Sequence, residues 1–154
     1  MMKLAGCLLL ALAGYGAGCW RLGQARRHLA ALRQLELLLG RIRDEIAFRA
    51  LPLEDILQML RAEPGFGLLN LEGCGQLQRF CLPALFTPEE RAALQPAFAT
   101  LGQGSCAEAS RTLAYYQRRC IAFTARAEKE TDKAKQLYRS FGLCAGLLLA
   151  FLLL

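Results

Sequence analysis

Few residues of this sequence have the types and spacing that enzyme chemistry requires. Nucleophilic catalysis needs a base beside a serine or cysteine, and His28, the only histidine, lies among arginines next to an apolar segment. The acidic pairs Asp44-Glu45 and Glu54-Asp55 fall in segments with helical periodicity, where neighbouring side chains point about 100° apart and do not converge on one substrate. We therefore expect an interfacial histidine, solvated carboxylates and no enzymatic activity.

The seven cysteines do not form a metal-binding pattern. Cys7, Cys19 and Cys144 fall within apolar terminal segments, and no C-x-x-C pair occurs. The tetrahedral Cys/His zinc pattern is therefore missing, and we expect neither a metal nor another cofactor. The other four cysteines are Cys74, Cys81, Cys106 and Cys120. In an exported domain they could form two disulfides. We prefer a cytoplasmic domain, in which they are reduced, small apolar side chains.

The composition favours helices and places the apolar excess at the two ends. The chain has 154 residues and no valine, and scarce β-branched residues disfavour strands. Its hydrophobic fraction is 55%, with 21% charged residues, whereas the middle of the chain has the Leu, Ala, Arg and Glu content of an ordinary helical domain. We predict an all-α fold.

Each end contains an apolar segment with about the length of a membrane span. The first runs from Leu4 to Trp20, close to the minimum for a transmembrane helix. The last apolar run is too short when counted from Phe141, but it gains length from Leu137 if Arg139 extends back to the membrane surface. We predict an N-terminal transmembrane helix, a cytoplasmic antiparallel helical bundle and a C-terminal transmembrane helix, at residues 1–20, 21–136 and 137–154.

Positive charge flanks both apolar segments on the side of the central region. The flanking residues are Arg21, Arg26, Arg27, Lys133, Lys135 and Arg139. Because cytoplasmic flanks of membrane spans are enriched in Lys and Arg, residues 21–136 are predicted to be cytoplasmic, with both termini across the membrane. A cleaved signal peptide is the competing interpretation of the first segment, supported by Lys3 and by the Ala-Leu-Ala sequence at Ala11–Ala13, which has the pattern of a cleavage site.

Both apolar segments contain two glycines four residues apart. The pairs are Gly14 with Gly18, and Gly142 with Gly146. In lipid, small residues at this spacing form a groove through which two helices approach closely. We expect these glycines to pack the two spans on each other or on the spans of partner proteins.

Apolar periodicity and capping signals predict the helices of the central bundle. A stripe with steps of three and four from Ala25 to Ile46 predicts a first helix ending near residue 50, and Pro52 opens a second. Thr87 and Glu90 form a capping box, and Pro96 limits the helix that follows. The remaining predictions are a less regular helix at 68–81, a second capping box from Ser105 to Glu108, and a long last helix at 106–138.

The C-terminal sequence YRSFGLCAGLLLAFLLL resembles the end of the stage III sporulation protein AB family of endospore-forming bacteria. That family has a Tyr/Trp-Arg-Ser-Leu-Gly start followed by a terminal apolar run, and Phe141 replaces its usual Leu here. Weaker agreement comes from the Leu-rich first helix, Glu45-Ile46 and the Pro52-Leu53 step. The resemblance covers essentially the whole chain, and the residues that match the specific motif are Tyr138, Arg139, Ser140, Gly142 and Gly146.

The resemblance implies a non-enzymatic platform in the sporulation channel between mother cell and forespore, similar to the inner-membrane platform of type II secretion. Such a protein would be integral to the outer forespore membrane, with two spans and its domain in the mother-cell cytoplasm. The implied partners are the bilayer, other membrane components of the channel and a cytoplasmic ATPase, stage III sporulation protein AA.

Two other functions agree with parts of the sequence. The formal charge of +6 could suggest nucleic acid as a partner, but we identify no basic surface interleaved with aromatic residues of the kind that stacks bases, and we expect no nucleic-acid binding. The alternative to the platform is an exported, C-terminally anchored helical protein with a cleaved signal peptide and disulfides.

Overall fold

The computed structural model describes the backbone of residues 2–49 and 51–153, and the side chains of residues 19–49 and 51–137. All regular structure in this part of the chain is helical, which confirms the predicted all-α class. The α-helices are α1 (Met2–Arg49), α2 (Leu53–Ala62), α3 (Pro88–Leu94), α4 (Pro96–Ala99) and α5 (Cys106–Leu153). Three short 3₁₀ helices lie between α2 and α3, at Pro64–Leu69, Leu71–Gly73 and Leu77–Arg79.

The chain divides into two compact units. One comprises Met1–Arg27 with Ala127–Leu154, and the other, which we call the central unit, is His28–Arg126. Where side chains are described, no helix offers a stretch long and apolar enough to cross a membrane. The predicted spans at 1–20 and 137–154 lie almost wholly outside those side chains, so the spans and the domain boundaries at 21 and 136 stay predictions.

The core of the central unit is built on the apolar stripe of α1. As predicted, the stripe is buried from Leu32 to Ile46. Helix α5 packs on it: the Cys120 thiol donates to the Leu32 carbonyl oxygen at 3.6 Å, and Arg43 Nη1 donates to Gln117 Oε1 at 2.8 Å. Arg43 follows Leu32 along α1, whereas its partner Gln117 precedes Cys120 along α5. Within the central unit the two helices are therefore antiparallel.

The predicted helix at 68–81 is wrong, because this segment folds into turns and short 3₁₀ helices. Asn70 adopts a left-handed conformation, with φ 51° and ψ 52°, and glycines at 73 and 75 lower the helix propensity. Arg61 takes over part of the backbone bonding, since its guanidinium donates to the carbonyl oxygens of Leu71 and Cys74. The segment still contributes to the core through Leu69, Leu71, Leu77 and Phe80.

The capping signals around Thr87 are confirmed. The Thr87 hydroxyl accepts from the Glu90 N–H at 3.3 Å, and Glu90 Oε2 accepts from the Thr87 N–H at 2.8 Å. Helix α3 ends before Pro96, as predicted. Of the two hydrogen bonds of the second predicted capping box, the described contacts include one: Ser105 Oγ accepts from the Glu108 N–H at 3.3 Å.

Candidate functional site

The structure describes five of the predicted site residues, all of them charged flanking residues. Arg21, Arg26 and Arg27 are exposed on α1, and Lys133 and Lys135 are exposed on α5, so each is available to a charged surface. The sixth predicted flank residue and the predicted motif and packing residues lie outside the described side chains: Arg139, Tyr138, Ser140, Gly142, Gly146, Gly14 and Gly18.

The described cysteines are free thiols and differ in environment. Cys19, Cys81 and Cys106 are exposed, whereas Cys120 is buried; of the cysteines predicted as reduced, small apolar side chains, Cys81 and Cys106 therefore face solvent. Burial and, to a smaller extent, the nearby Glu36 carboxylate together raise the pKa of the Cys120 thiol to about 12. Because the thiolate is the nucleophile, Cys120 is inert at neutral pH. Among the described side chains no cluster of His, Cys, Asp or Glu could hold a metal ion.

His28 pairs with a carboxylate that the sequence places far away. Its Nε2 lies 2.8 Å from Glu90 Oε2, and Glu90 is only 6% exposed. Since the same oxygen also accepts from the Thr87 N–H, it acts as an acceptor, and His28 Nε2 carries the proton. The cluster ties α1 to the start of α3, and this position in the central unit replaces the interfacial one that we expected for His28.

Glu45 also departs from expectation, because its side chain is buried and not solvated. It is 6% exposed, and its Oε2 lies 3.6 Å from Arg49 Nη1 on the next turn of α1. That oxygen has no hydrogen-bond partner among the described groups. Its neighbour Asp44 remains partly exposed, as predicted for a helix surface. Asp44 is therefore a surface carboxylate, whereas Glu45 lies inside the bundle. The two side chains do not converge on a common substrate.

The outer side of α5 presents a basic surface that contains an exposed tyrosine, so the expectation of no basic surface interleaved with aromatic residues is wrong for this helix, while the absence of nucleic-acid binding stays a prediction. Leu113, Cys120 and Thr124 are buried on one side of this helix. The opposite side carries four exposed arginines, and no acidic residue occurs between Glu108 and Glu128. Tyr115 lies among them and is 58% exposed. We call this surface the arginine face: Arg111, Tyr115, Arg118, Arg119 and Arg126.

No ion pair among the described contacts neutralises the charge of the arginine face. Its only described polar contact is internal, with Arg119 Nη1 3.5 Å from the Tyr115 hydroxyl. Residues 109–127 contain four arginines and no acidic residue, a formal charge of +4. None of these arginines forms an ion pair among the described contacts. An exposed surface of this kind attracts an anionic partner over a distance set by the salt concentration.

The opposite charge is concentrated in the region between α1 and α5. Residues 51–105 carry three arginines and six carboxylates, a formal charge of −3. Glu54 and Asp55 are exposed in the first turn of α2. Glu54 borders a groove of about 360 Å³ whose lining includes Leu53, Leu57 and Leu77. We call Glu54, Asp55 and this groove the acidic groove.

A separate apolar patch lies on the outer side of α1. Leu37 and Phe48 are 66% and 86% exposed, and their separation of eleven residues places them on the same side of a helix. The exposed charge of Arg41 lies between them, paired with Glu63 at 3.2 Å. The patch is therefore two separate apolar side chains with a salt bridge between them.

Comparison with known families gives one assignment. A family model described as stage III sporulation protein AB matches residues 3–68 and 77–154. The unmatched interval falls in the turns and 3₁₀ helices that replace the predicted helix at 68–81. No curated protein and no solved structure gives a significant match.

Proposed function

The chain belongs to the stage III sporulation protein AB family, and from this premise we propose that it is a non-enzymatic membrane platform of the sporulation channel. In this proposal, transmembrane helices at 1–20 and 137–154 hold it in the outer forespore membrane. Residues 21–136 lie in the mother-cell cytoplasm. There they couple a cytoplasmic ATPase, stage III sporulation protein AA, to the other membrane components of the channel.

The observation that carries this proposal is the family match over almost the whole chain, because membership implies a role in stage III of sporulation. The exposure of Arg21, Arg26 and Arg27 on α1, and of Lys133 and Lys135 on α5, supports a cytoplasmic flank at both predicted spans. These side chains are free to meet anionic lipid headgroups, as the positive flank of a span does.

The chemistry of the central unit supports a structural role. His28 and Glu90 are used to join α1 to α3, and Cys120 is buried in the contact with α1. The surfaces that remain are the arginine face, the acidic groove and the patch of Leu37 and Phe48. Surfaces of this kind bind other proteins, and we therefore propose assembly as the function.

Thiol labelling tests the membrane topology. Cys106 is exposed and is the suitable reporter, whereas Cys120 is buried and its thiol is protonated. We expect a membrane-impermeant maleimide to leave Cys106 unmodified in intact mother cells and to modify it after permeabilisation. Modification in intact cells, or recovery of Cys106 in a disulfide, would support the exported alternative with a cleaved signal peptide.

Capture of the ATPase tests the coupling. We expect the tagged full-length chain, extracted in mild detergent from sporulating cells, to retain stage III sporulation protein AA. An equally abundant two-span membrane protein serves as the control. If the ATPase is recovered equally with both, the coupling is disproved. Deletion of the gene should also block sporulation at stage III, and a mutant that completes the stage would contradict the role itself.

A further inference from the structure

We propose that the arginine face of α5 binds the acidic groove of a second copy of this chain. In the contact, Tyr115 enters the groove beside α2, while Arg118 and Arg119 pair with Glu54 and Asp55 of the other copy. Self-association of the central unit goes beyond the platform function and does not depend on it.

The arginine face carries an unbalanced charge. Its four exposed arginines lie within sixteen positions of α5 and repel one another, and none of them forms an ion pair among the described contacts. A solvated helix surface commonly alternates charge so that pairs three or four residues apart stabilise the helix. The arginine face lacks such charge pairs, and carboxylates of an anionic partner would supply them.

The arginine face is made of side-chain types that protein interfaces favour. The central unit contains eleven arginines and no lysine, whereas three of the four lysines of the chain lie at residues 129–135. Arginine and tyrosine are enriched in the centres of protein interfaces and lysine is depleted there. The guanidinium group also matches a carboxylate with two parallel hydrogen bonds. This composition favours a protein surface over lipid headgroups as the partner.

A complementary surface is present on the same chain. Residues 109–127 carry a formal charge of +4 and residues 51–105 carry one of −3, and Glu54 and Asp55 are exposed. Neither Glu54 nor Asp55 has an ion-pair partner among the described groups. Exposed surfaces of opposite charge on one chain attract each other between copies.

The acidic groove has the lining and the volume to accept an aromatic side chain. Buried Leu57 and Leu77 are among its lining residues, and Glu54 lies at its border. Its volume of about 360 Å³ lies within the range of sites that hold small organic groups. An aromatic ring with a polar edge fits such a groove, because its apolar body meets the leucines while its hydroxyl stays at the wet border. Tyr115 is the exposed aromatic side chain within the arginine face.

The experiment measures self-association of the full-length chain in mild detergent. Two copies with different affinity tags are co-expressed, and the second copy is quantified after capture of the first. We expect Tyr115→Ala and the double variant Arg118→Glu/Arg119→Glu, introduced into both copies, each to lower co-capture by about tenfold or more. Raising the salt from 50 mM to 500 mM should lower co-capture of the parent chain, because the paired charges are screened.

Charge reversal on the other surface identifies the partner as the second copy. The double variant Glu54→Arg/Asp55→Arg in both copies should lose co-capture as well. When one copy carries the reversed arginine face and the other the reversed groove, opposite charges meet again and co-capture should recover. Phe48→Ala is the matched control, since it removes an exposed aromatic side chain of the same unit and should leave co-capture unchanged.

Protection of Cys120 from alkylation in each variant verifies that the fold is retained. Unchanged co-capture in the reversed variants would overturn the proposal, and so would failure of the mixed pair to recover. Loss of binding to anionic vesicles with co-capture intact would assign the arginine face to lipid instead. Loss of ATPase capture with co-capture intact would assign it to the ATPase. Both results leave the platform function in place.

Discussion

The two sides of α5 use the same stretch of helix in different ways. On the inner side Leu113, Cys120 and Thr124 are buried, and contacts within the chain account for them. On the outer side Arg118 and Arg119 have no partner carboxylate among the described groups. The difference teaches that one helix can separate the residues that stabilise the fold from residues that stay exposed to solvent. Changes on the inner side should therefore alter folding, and changes on the outer side should alter binding alone.

Leu113→Ala should have the largest effect, because Leu113 is 1% exposed and truncation leaves a cavity. A buried Leu→Ala change costs about 3 kcal/mol, which makes transient opening of the bundle about a hundredfold more frequent. The measurement is the rate of Cys120 alkylation in the native full-length chain, located by peptide mass analysis. Leu37→Ala is the matched control, since Leu37 is 66% exposed. Equal rates in the two variants would contradict the burial of Leu113.

Raising the pH should weaken the inner side through Cys120. Burial raises the pKa of this thiol from 9.0 to about 12, so between these values the folded state holds a proton that the unfolded state loses. The contribution to stability is complete below pH 9 and falls above it by about 1.4 kcal/mol per pH unit. We expect the unfolding free energy of the parent chain to decline more steeply from pH 9 to 11 than that of Cys120→Ala. Parallel pH curves would contradict the burial of this thiol.

Gln117→Ala should have a smaller effect, because Gln117 lies at the border between the two sides of α5. Its Oε1 accepts a 2.8 Å hydrogen bond from Arg43, and removal of such a bond costs about 1 kcal/mol. The rate of Cys120 alkylation should rise by roughly fivefold. Gln103→Ala is the control, because Gln103 contacts a carbonyl within its own turn. A rise equal to that of Leu113→Ala would show that the border belongs to the core.

Changes on the outer side should have the smallest effect on stability. The double variant Arg118→Gln/Arg119→Gln removes two exposed charges whose described contacts include only the weak one with Tyr115. Exposed substitutions of this kind shift stability by about 0.5 kcal/mol or less. Circular dichroism during urea unfolding measures the change. A destabilisation comparable to that of Gln117→Ala would show that the outer side of α5 also stabilises the fold, which would contradict the distinction between the two sides.

The parts of the fold that were predictable have signals confined to a few adjacent residues. Thr87 and Glu90 satisfy each other within one turn, and Pro96 ends a helix by its own covalent geometry. The segment 68–81 was mispredicted because its apolar residues imitate a helical stripe. Its real structure depends on the left-handed backbone of Asn70 and on bonds from Arg61, which no local pattern contains.

The site was less predictable, because its contacts join distant residues. His28 and Glu90 are 62 positions apart, and the sequence gives no reason to pair them. Glu45 was expected to be solvated because adjacent helical side chains point about 100° apart, although Glu45 occurs one turn before Arg49 and beside the buried Ile46. The arginine face had a signal, the absence of acidic residues from 109 to 127. Combining that charge run with the helical period would have revealed it.

The contact between Leu32 and Cys120 also sets an order of events during synthesis. The two residues are 88 positions apart, and at about 5–20 residues per second the ribosome needs roughly 4–18 s to make the chain between them. Throughout that time the apolar stripe of α1 exists without the helix that covers it. Closing of the central unit is therefore a late step of biogenesis, and a nascent chain stalled before α5 exposes a surface that chaperones recognise.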